Sequence, residues 1–352
     1  MVSAWPEPVV RVQSLSDSGI DSIPDSYVKP IYDRPLHMDI SSNSNQPDNI
    51  PVIDLANLYS HDLTLRKTTM DLISDACRHW GFFQLINHGV SYHLMAEVRR
   101  VWREFFHLPL EKKQEYANSP ATYEGYGSRL GVEKGAKLDW SDYFFLHFLP
   151  VSIRNESKWP QSCRELVSEY NEAVLKLCGK LMKIFSLNLG LEEENAFGGE
   201  QVVGASLRVN LYPKCPQPDL TLGISPHSDP GGITVLLPDH HVSGLQVRKD
   251  NAWLTVKPIP NAFIINLADQ LEVVSNGQYK SVEHRVIVNS NQDRLSLAFF
   301  YNPRGDILIR PLLTDNEPPL YDQPMTFNDY RTFIRLNGLH GKSQVQSLKS
   351  PR

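Results

Sequence analysis

The sequence predicts an α+β protein, with a two-sheet β core braced from outside by helices and a mixed α/β region ahead of it. Three observations carry that prediction. From Gly204 to Tyr301, short β-rich runs follow one another closely, separated by Pro, Gly and Asn. That pattern fits a double-stranded β-helix, the jelly-roll type of barrel. Trp159 to Leu189 is a long amphipathic stretch with Leu166, Tyr170, Val174, Leu177, Leu181 and Phe185 near one face, as expected of a helix laid against a sheet. Upstream, between Ile50 and Tyr116, strand and helix patterns alternate.

Along the chain, Val10 to Ser16 reads as a short helix, followed by an irregular stretch ending near Pro30. Residues 36–49 are polar and short of core residues, which marks a linker. Ile50 to Leu55 reads as a strand. Leu65 to Trp80 reads as a helix, with Met70, Ile73, Ala76 and Cys77 at helical spacing and Gly81 as its stop. Phe82 to Ile86 is the next strand, and Tyr92 to Phe106 and Leu110 to Tyr116 are further helices. Near the end, Met325 to Gly338 carries Thr326 and Asp329 in capping-box positions and a terminal glycine, so a helix with both stop signals is expected. The expected division is an extension and linker over 1–49, an N-terminal domain over 50–160 and the bracing helix over 161–200. The β core takes 201–305, and a C-terminal helix and tail lining a substrate pocket take 306–352.

A chain of 352 residues, 41% hydrophobic and 21% charged, has the composition of a globular protein. Its net charge of -5 gives no support for nucleic-acid or membrane binding, and no apolar stretch approaches membrane-spanning length. The opening Met-Val-Ser-Ala-Trp-Pro lacks the basic leader and apolar core of a signal peptide. Four scattered cysteines without Cys-x-x-Cys spacing fit reduced thiols. A cytoplasmic monomer acting on a small molecule is the expectation, with nuclear presence also open.

The chemistry concentrates in three runs. His227-Ser-Asp229 is joined 57 residues downstream by His284. Two imidazoles and a carboxylate on one face of an octahedral metal leave three positions open, which suits non-haem Fe(II) oxygenases. Twelve histidines make chance His-x-Asp pairs common, so the spacing alone says little. In Arg294-Leu-Ser296 the two polar side chains share one face of a strand, and a guanidinium fork beside a hydroxyl suits a ligand carboxylate. An arginine on a solvent-facing edge is the plainer alternative. Periodicity does not choose between the face of Arg294, Ala298 and Phe300 and that of Leu295, Leu297, Phe299 and Tyr301. In the third run, Arg208, Asn210 and Tyr212 alternate with Val209 and Leu211 before Pro213 and Pro216 end the strand. Taken alone, that polar face would look to water.

Asn210-x-Tyr212-Pro-x-Cys, His-x-Asp, a distal His and Arg-x-Ser, in that order, resemble the plant 2-oxoglutarate- and Fe(II)-dependent dioxygenases, the family of anthocyanidin synthase, flavonol synthase and the gibberellin oxidases. Ile50 to Leu55, Trp80 to Val90 and Phe105 to Pro109 are similar to that family's N-terminal domain, so the resemblance covers about residues 50–340. It implies that His227, Asp229 and His284 hold Fe(II) and that 2-oxoglutarate chelates it. It further implies that Arg294 and Ser296 bind the far carboxylate, with Tyr212 assisting and Asn210 near the chelating end. Dioxygen would then oxidise an unactivated C–H bond, with ascorbate as activator.

The predicted C-terminal helix places Phe327, Arg331 and Arg335 at i, i+4 and i+8 on one stripe. A solvated face is the ordinary reading of such arginines. Two cations four apart with no acid between them are nevertheless easier to rationalise around an anion. With Arg208 they resemble the jasmonate-induced oxygenases, a plant subgroup that hydroxylates jasmonic acid at C-12 and so damps defence signalling. Lys137 to Pro150 and the closing Ser350-Pro-Arg share that likeness. It implies that Arg208, Arg331 and Arg335 bind the jasmonate carboxylate, while Phe299 or Phe300, together with Phe327, packs on its hydrocarbon body. A flavonoid or gibberellin oxidase of the same class is one alternative: flavonoids are neutral and would use the arginines poorly, whereas gibberellins are carboxylates. A silent binding protein for a small acidic hormone is another, disfavoured by the intact ligand set.

Overall fold

The computed structural model describes residues 4–35, 48–191, 203–312 and 318–349. The predicted linker over 36–49 falls mostly, and the closing Ser350-Pro-Arg wholly, outside the described residues. In chain order the elements are α1 (Val12–Asp17), β1 (Val52–Asp54), α2 (Leu63–His79), β2 (Phe82–Ile86), α3 (Tyr92–His107) and α4 (Leu110–Gln114). Next come β3 (Gly125–Gly127), β4 (Asp142–Leu149) and α5 (Arg164–Asn188). The β-rich part holds β5 (Val203–Tyr212), β6 (Ile224–His227), β7 (Ile233–Leu237), β8 (Leu245–Lys249), β9 (Ala252–Thr255) and β10 (Phe263–Leu267). It closes with α6 (Asp269–Val274), β11 (His284–Val286) and β12 (Arg294–Pro303). A small pair, β13 (Leu308–Ile309) and β14 (Met325–Thr326), leads into α7 (Phe327–Asn337) and α8 (Ser343–Ser347).

Local chemistry sets the boundaries. The Asp62 carboxylate accepts the N–H groups of Thr64 and Leu65 and so starts α2. Gly81 then turns the chain at φ +63°, where a β-carbon would lie 2.2 Å from the Lys280 carbonyl oxygen. The first strand is shorter than Ile50 to Leu55, because Asp54 accepts the Ala56 N–H and begins a 3-10 turn over Leu55–Tyr59. The long helix begins at Arg164 rather than Trp159. Trp159 precedes a proline and is held extended at φ -86°, ψ 121°.

The strands form an eight-stranded sheet, β1-β2-β10-β7-β12-β5-β4-β3, and a four-stranded sheet, β6-β11-β8-β9. The N-terminal strands thus extend the core sheet. On its outer face Leu207, Val209, Leu211, Leu295, Leu297, Phe299 and Tyr301 pack in one cluster with Val174, Leu177, Leu181 and Phe185 of α5. The predicted bracing helix therefore covers that face. A second cluster brings Val12, Ile23 and Tyr27 of the N-terminal extension against Trp140 and Tyr212, so this part of the extension is core. Asp142 holds it there by accepting the N–H groups of Val12 and Gln13 at 2.9 Å each.

Register settles the face that periodicity left open. β12 pairs with β5 so that Arg294 lies opposite Tyr212, Ser296 opposite Asn210, Ala298 opposite Arg208 and Phe300 opposite Ser206. All eight line an internal cavity. Arg208, Asn210 and Tyr212 are among them, so the polar face of β5 looks into the cavity and not to bulk water. Phe299 is corrected by the same register: it is fully buried in the outer cluster, 6.3 Å from the Phe148 ring, and Phe300 alone of the two lines the cavity. Phe299→Ala should therefore lower the unfolding free energy by about 3–5 kcal/mol in chemical denaturation. Phe300→Ala should cost no more than about 1 kcal/mol. The reverse order would put the wrong face inward.

Candidate active site

The cavity encloses about 500 Å³ between the two sheets and α7, a size suited to a small organic ligand. His227 ends β6 and His284 begins β11, directly opposite each other in the small sheet. Their ring centroids are 4.2 Å apart. Each Nδ1 is turned to a backbone carbonyl, Ser225 at 2.9 Å and Val282 at 3.2 Å, which leaves both Nε2 atoms facing Asp229. Asp229 Oδ1 lies 3.5 Å from His227 Nε2 and 3.8 Å from His284 Nε2. Its Oδ2 accepts hydrogen bonds from Thr234 Oγ1 at 2.6 Å and Asn266 Nδ2 at 2.9 Å. Three ligand atoms thus converge with open space on the cavity side.

Burial pushes the Asp229 carboxyl up, but the two histidines and the Thr234 hydroxyl outweigh it and hold the group well below the usual carboxylate range. Burial and then His227 lower His284 to about 4, so its imidazole is neutral. Burial pushes His227 down, but Asp229 outweighs it and holds that imidazole above its ordinary value, so the carboxylate favours a positive charge at this point. Two imidazole nitrogens and one ionised oxygen on a single face fit Fe(II).

Arg294 is 3% exposed, and its Nε has no partner among the described residues. Its Nη1 reaches Ser296 Oγ at 3.4 Å, and its guanidinium carbon lies 5.1 Å from the centre of the Tyr212 ring. No carboxylate pairs with it among the described residues. A buried cation is costly without a counter-charge, so this corner fits the free carboxylate of a dicarboxylic acid such as 2-oxoglutarate.

A separate set of cations faces the remainder of the cavity. Arg208 lies over the Tyr143 ring at 4.1 Å and donates through Nε to Asn210 Oδ1 at 2.7 Å. Arg331 and Arg335 are half-buried on the inner side of α7. Burial and then Arg335 lower Arg331 to about 10, still cationic at neutral pH. The predicted cap of α7 forms, with Thr326 Oγ1 accepting the Asp329 N–H at 3.2 Å. The helix is anchored through Tyr330, whose hydroxyl donates to Asp269 Oδ2 at 2.6 Å. Asp269 in turn donates its own N–H to the Asp229 carbonyl at 2.9 Å.

The structure thus brings every predicted site residue except Phe299 to one cavity. Sequence reasoning missed Tyr143, Phe145 and His147, which alternate on β4 and face the cavity opposite Asn210, Arg208 and Ser206. Their alternation was the available signal. Thr234 and Asn266 gave none, since they meet Asp229 only across the sheet. Replacing both, as Thr234→Val with Asn266→Ala, should weaken Fe(II) binding about 10–100-fold in anaerobic titration, and Asp229→Ala should abolish it. Unchanged affinity in the double variant would remove the orienting role.

Residues 50–162 match the family model for the non-haem dioxygenase in morphine synthesis N-terminal region, and residues 203–303 that of the 2OG-Fe(II) oxygenase superfamily. Jasmonate-induced oxygenases 2 and 3 of Arabidopsis thaliana are each 57% identical to this chain, over 99% of it and 95% and 98% of their own lengths. Leucoanthocyanidin dioxygenase of Malus domestica is 36% identical, over 91% of this chain and 93% of its own. A crystal structure of JOX2 in complex with 2OG, Fe and JA matches at TM-score 0.90 and 56% identity, covering 99% of this chain and 100% of that one. The chain belongs to the 2-oxoglutarate- and Fe(II)-dependent oxygenases, within the group of the jasmonate-induced oxygenases.

Proposed function

We propose that this protein hydroxylates jasmonic acid, at C-12, and so removes a hormone precursor and damps defence signalling. One observation carries the reading beyond the family. Arg208, Arg331 and Arg335 share a cavity with the metal-ligand set, have no acidic partner among the described residues, and are separate from Arg294. The substrate that fits has one carboxylate and a hydrocarbon body. Neutral flavonoids would leave three half-buried guanidinium groups unpaired. The JOX2 complex with JA supports the same choice.

In this reading His227 Nε2, His284 Nε2 and Asp229 Oδ1 hold Fe(II), with Thr234 and Asn266 fixing the carboxylate. Bound Fe(II), with 2-oxoglutarate and dioxygen, supplies the oxidant that replaces a C–H hydrogen by hydroxyl as 2-oxoglutarate becomes succinate and CO2. Arg294 and Ser296 take the far carboxylate of 2-oxoglutarate, Tyr212 covers the guanidinium, and Asn210 sits towards the chelating end. Arg208, Arg331 and Arg335 hold the substrate carboxylate, each charge-assisted hydrogen bond contributing about 1.5–3 kcal/mol. Phe300 and Phe327 pack on the hydrocarbon and exclude water from the reacting carbon. Among the described residues no helix is long and apolar enough to cross a membrane. We further propose a cytoplasmic monomer, with ascorbate keeping the iron ferrous.

Purified protein supplied with Fe(II), ascorbate and 2-oxoglutarate should form succinate with jasmonate, and far less with a gibberellin or a dihydroflavonol. Absence of succinate with jasmonate would remove the reading. Arg331→Ala and Arg335→Ala should each raise the jasmonate KM roughly 10- to 100-fold and leave the 2-oxoglutarate KM nearly unchanged. A joint rise in both constants would overturn the division of labour among the arginines.

A further inference from the structure

Strands β4, β5 and β12 lay out the cavity wall in rows. Tyr143, Asn210 and Ser296 form one row, Phe145, Arg208 and Ala298 the next, and His147, Ser206 and Phe300 the third. Rows on one face are two residues apart along a strand, about 7 Å. The polar members of the first two rows, Tyr143, Asn210, Ser296 and Arg208, already have places in the site, Tyr143 beneath the Arg208 guanidinium. The polar members of the third do not. His147 is 8% exposed and Ser206 6%, both line the cavity, and neither side chain has a hydrogen-bond partner among the described residues. They are direct cross-strand neighbours on a wall otherwise made there by Phe145, Leu149 and Phe300. The polar atoms of both side chains open onto the cavity, where a ligand atom can meet them.

Which atom they suit follows from charge. Burial, and then Arg331 and Arg335 facing it from α7, hold the His147 imidazole down at about 4, so it is neutral. Its ring packs edge-on against Phe145 with centroids 5.0 Å apart, which limits its rotation. A neutral imidazole has one N–H to donate, and the serine hydroxyl has one O–H. Neither competes with three guanidinium groups for a carboxylate, so the partner is an uncharged acceptor oxygen. Jasmonic acid has one such oxygen outside its carboxyl group, the ring ketone. It lies five bonds from the carboxyl carbon, roughly 5–6 Å away, which is close to the one-row step from Arg208 to Ser206.

We propose that His147 and Ser206 form a second anchor in the substrate cavity, donating hydrogen bonds to the ring-ketone oxygen while the arginines hold the carboxylate. This rests on jasmonic acid being the substrate. A carboxylate alone leaves the acid free to rotate about its long axis. A second fixed point removes that freedom and selects which carbon of the side chain faces the metal. His147 and Ser206 are therefore specificity-determining residues.

The test compares jasmonic acid with its ring-deoxo analogue, in which the ketone is a CH2 group. The readouts are the ratio of kcat/KM for the two acids and the distribution of hydroxylated positions. The intact enzyme should prefer jasmonic acid. In His147→Phe with Ser206→Ala that preference should fall about tenfold or more, and hydroxylation should spread over neighbouring carbons. His147→Gln, which keeps an N–H donor, should restore part of the preference. Equal losses for both acids would mean that the pair only packs the wall, and an unchanged ratio that it does not touch the ketone; either result overturns the anchor. Failure of the intact enzyme to oxidise jasmonic acid at all would overturn the substrate reading and the anchor with it.

Discussion

The buried carboxylate of Asp229 is the point on which the two sheets, the metal-ligand set and the C-terminal helix all depend. His227 and His284 belong to the small sheet, whereas Thr234 and Asn266, which hold Asp229 Oδ2, belong to the large one. The triplet therefore forms a clasp between sheets. The turn that carries Asp229 passes so close to β12 that a β-carbon on Gly231 would lie 1.7 Å from Asn302 Oδ1. The carbonyl of Asp229 accepts the N–H of Asp269, whose carboxyl receives Tyr330 of α7. A displacement of this one residue would be felt by the ligands, the barrel and the helix that bears Arg331 and Arg335.

Cation placement explains the remainder of the site. Buried or half-buried guanidinium groups without acids are unfavourable in the isolated protein, and this cavity holds four of them. Arg294 lies beside Tyr212 and Ser296, while Arg208 is stacked on Tyr143 and tied to Asn210. The aromatic faces and amide oxygen relieve part of the cost. Two separate groups of cations line the cavity, Arg294 beside Ser296 and Arg331 with Arg335 on α7.

The legible parts of the fold were those written in local chemistry. Phe82–Ile86 and the cap at Thr326 were readable because strand alternation and capping need only adjacent residues. Trp159 was misread as helical because its extended backbone is imposed by Pro160, a constraint that apolar spacing does not show. At the site, His227, Asp229 and His284 were legible from spacing and from their order with Arg294 and Ser296. Their two supports, Thr234 and Asn266, were not, because nothing in a local sequence window links a threonine on β7 and an asparagine on β10 to the same carboxylate.

By itself the sequence singled out the candidate metal-ligating residues, the strand that carries Arg294 and Ser296, and the helical stripe that carries Arg331 and Arg335. It could not say which face of β12 turns inward, since both faces alternate equally well and one flips with the other. Only the pairing of β12 with β5 and the seating of α5 on the opposite face decided that. This is why Phe300 lines the cavity and Phe299 does not. Tertiary structure likewise decided that His147 and Ser206 are neighbours, because cross-strand register joins residues 59 positions apart that no local pattern connects.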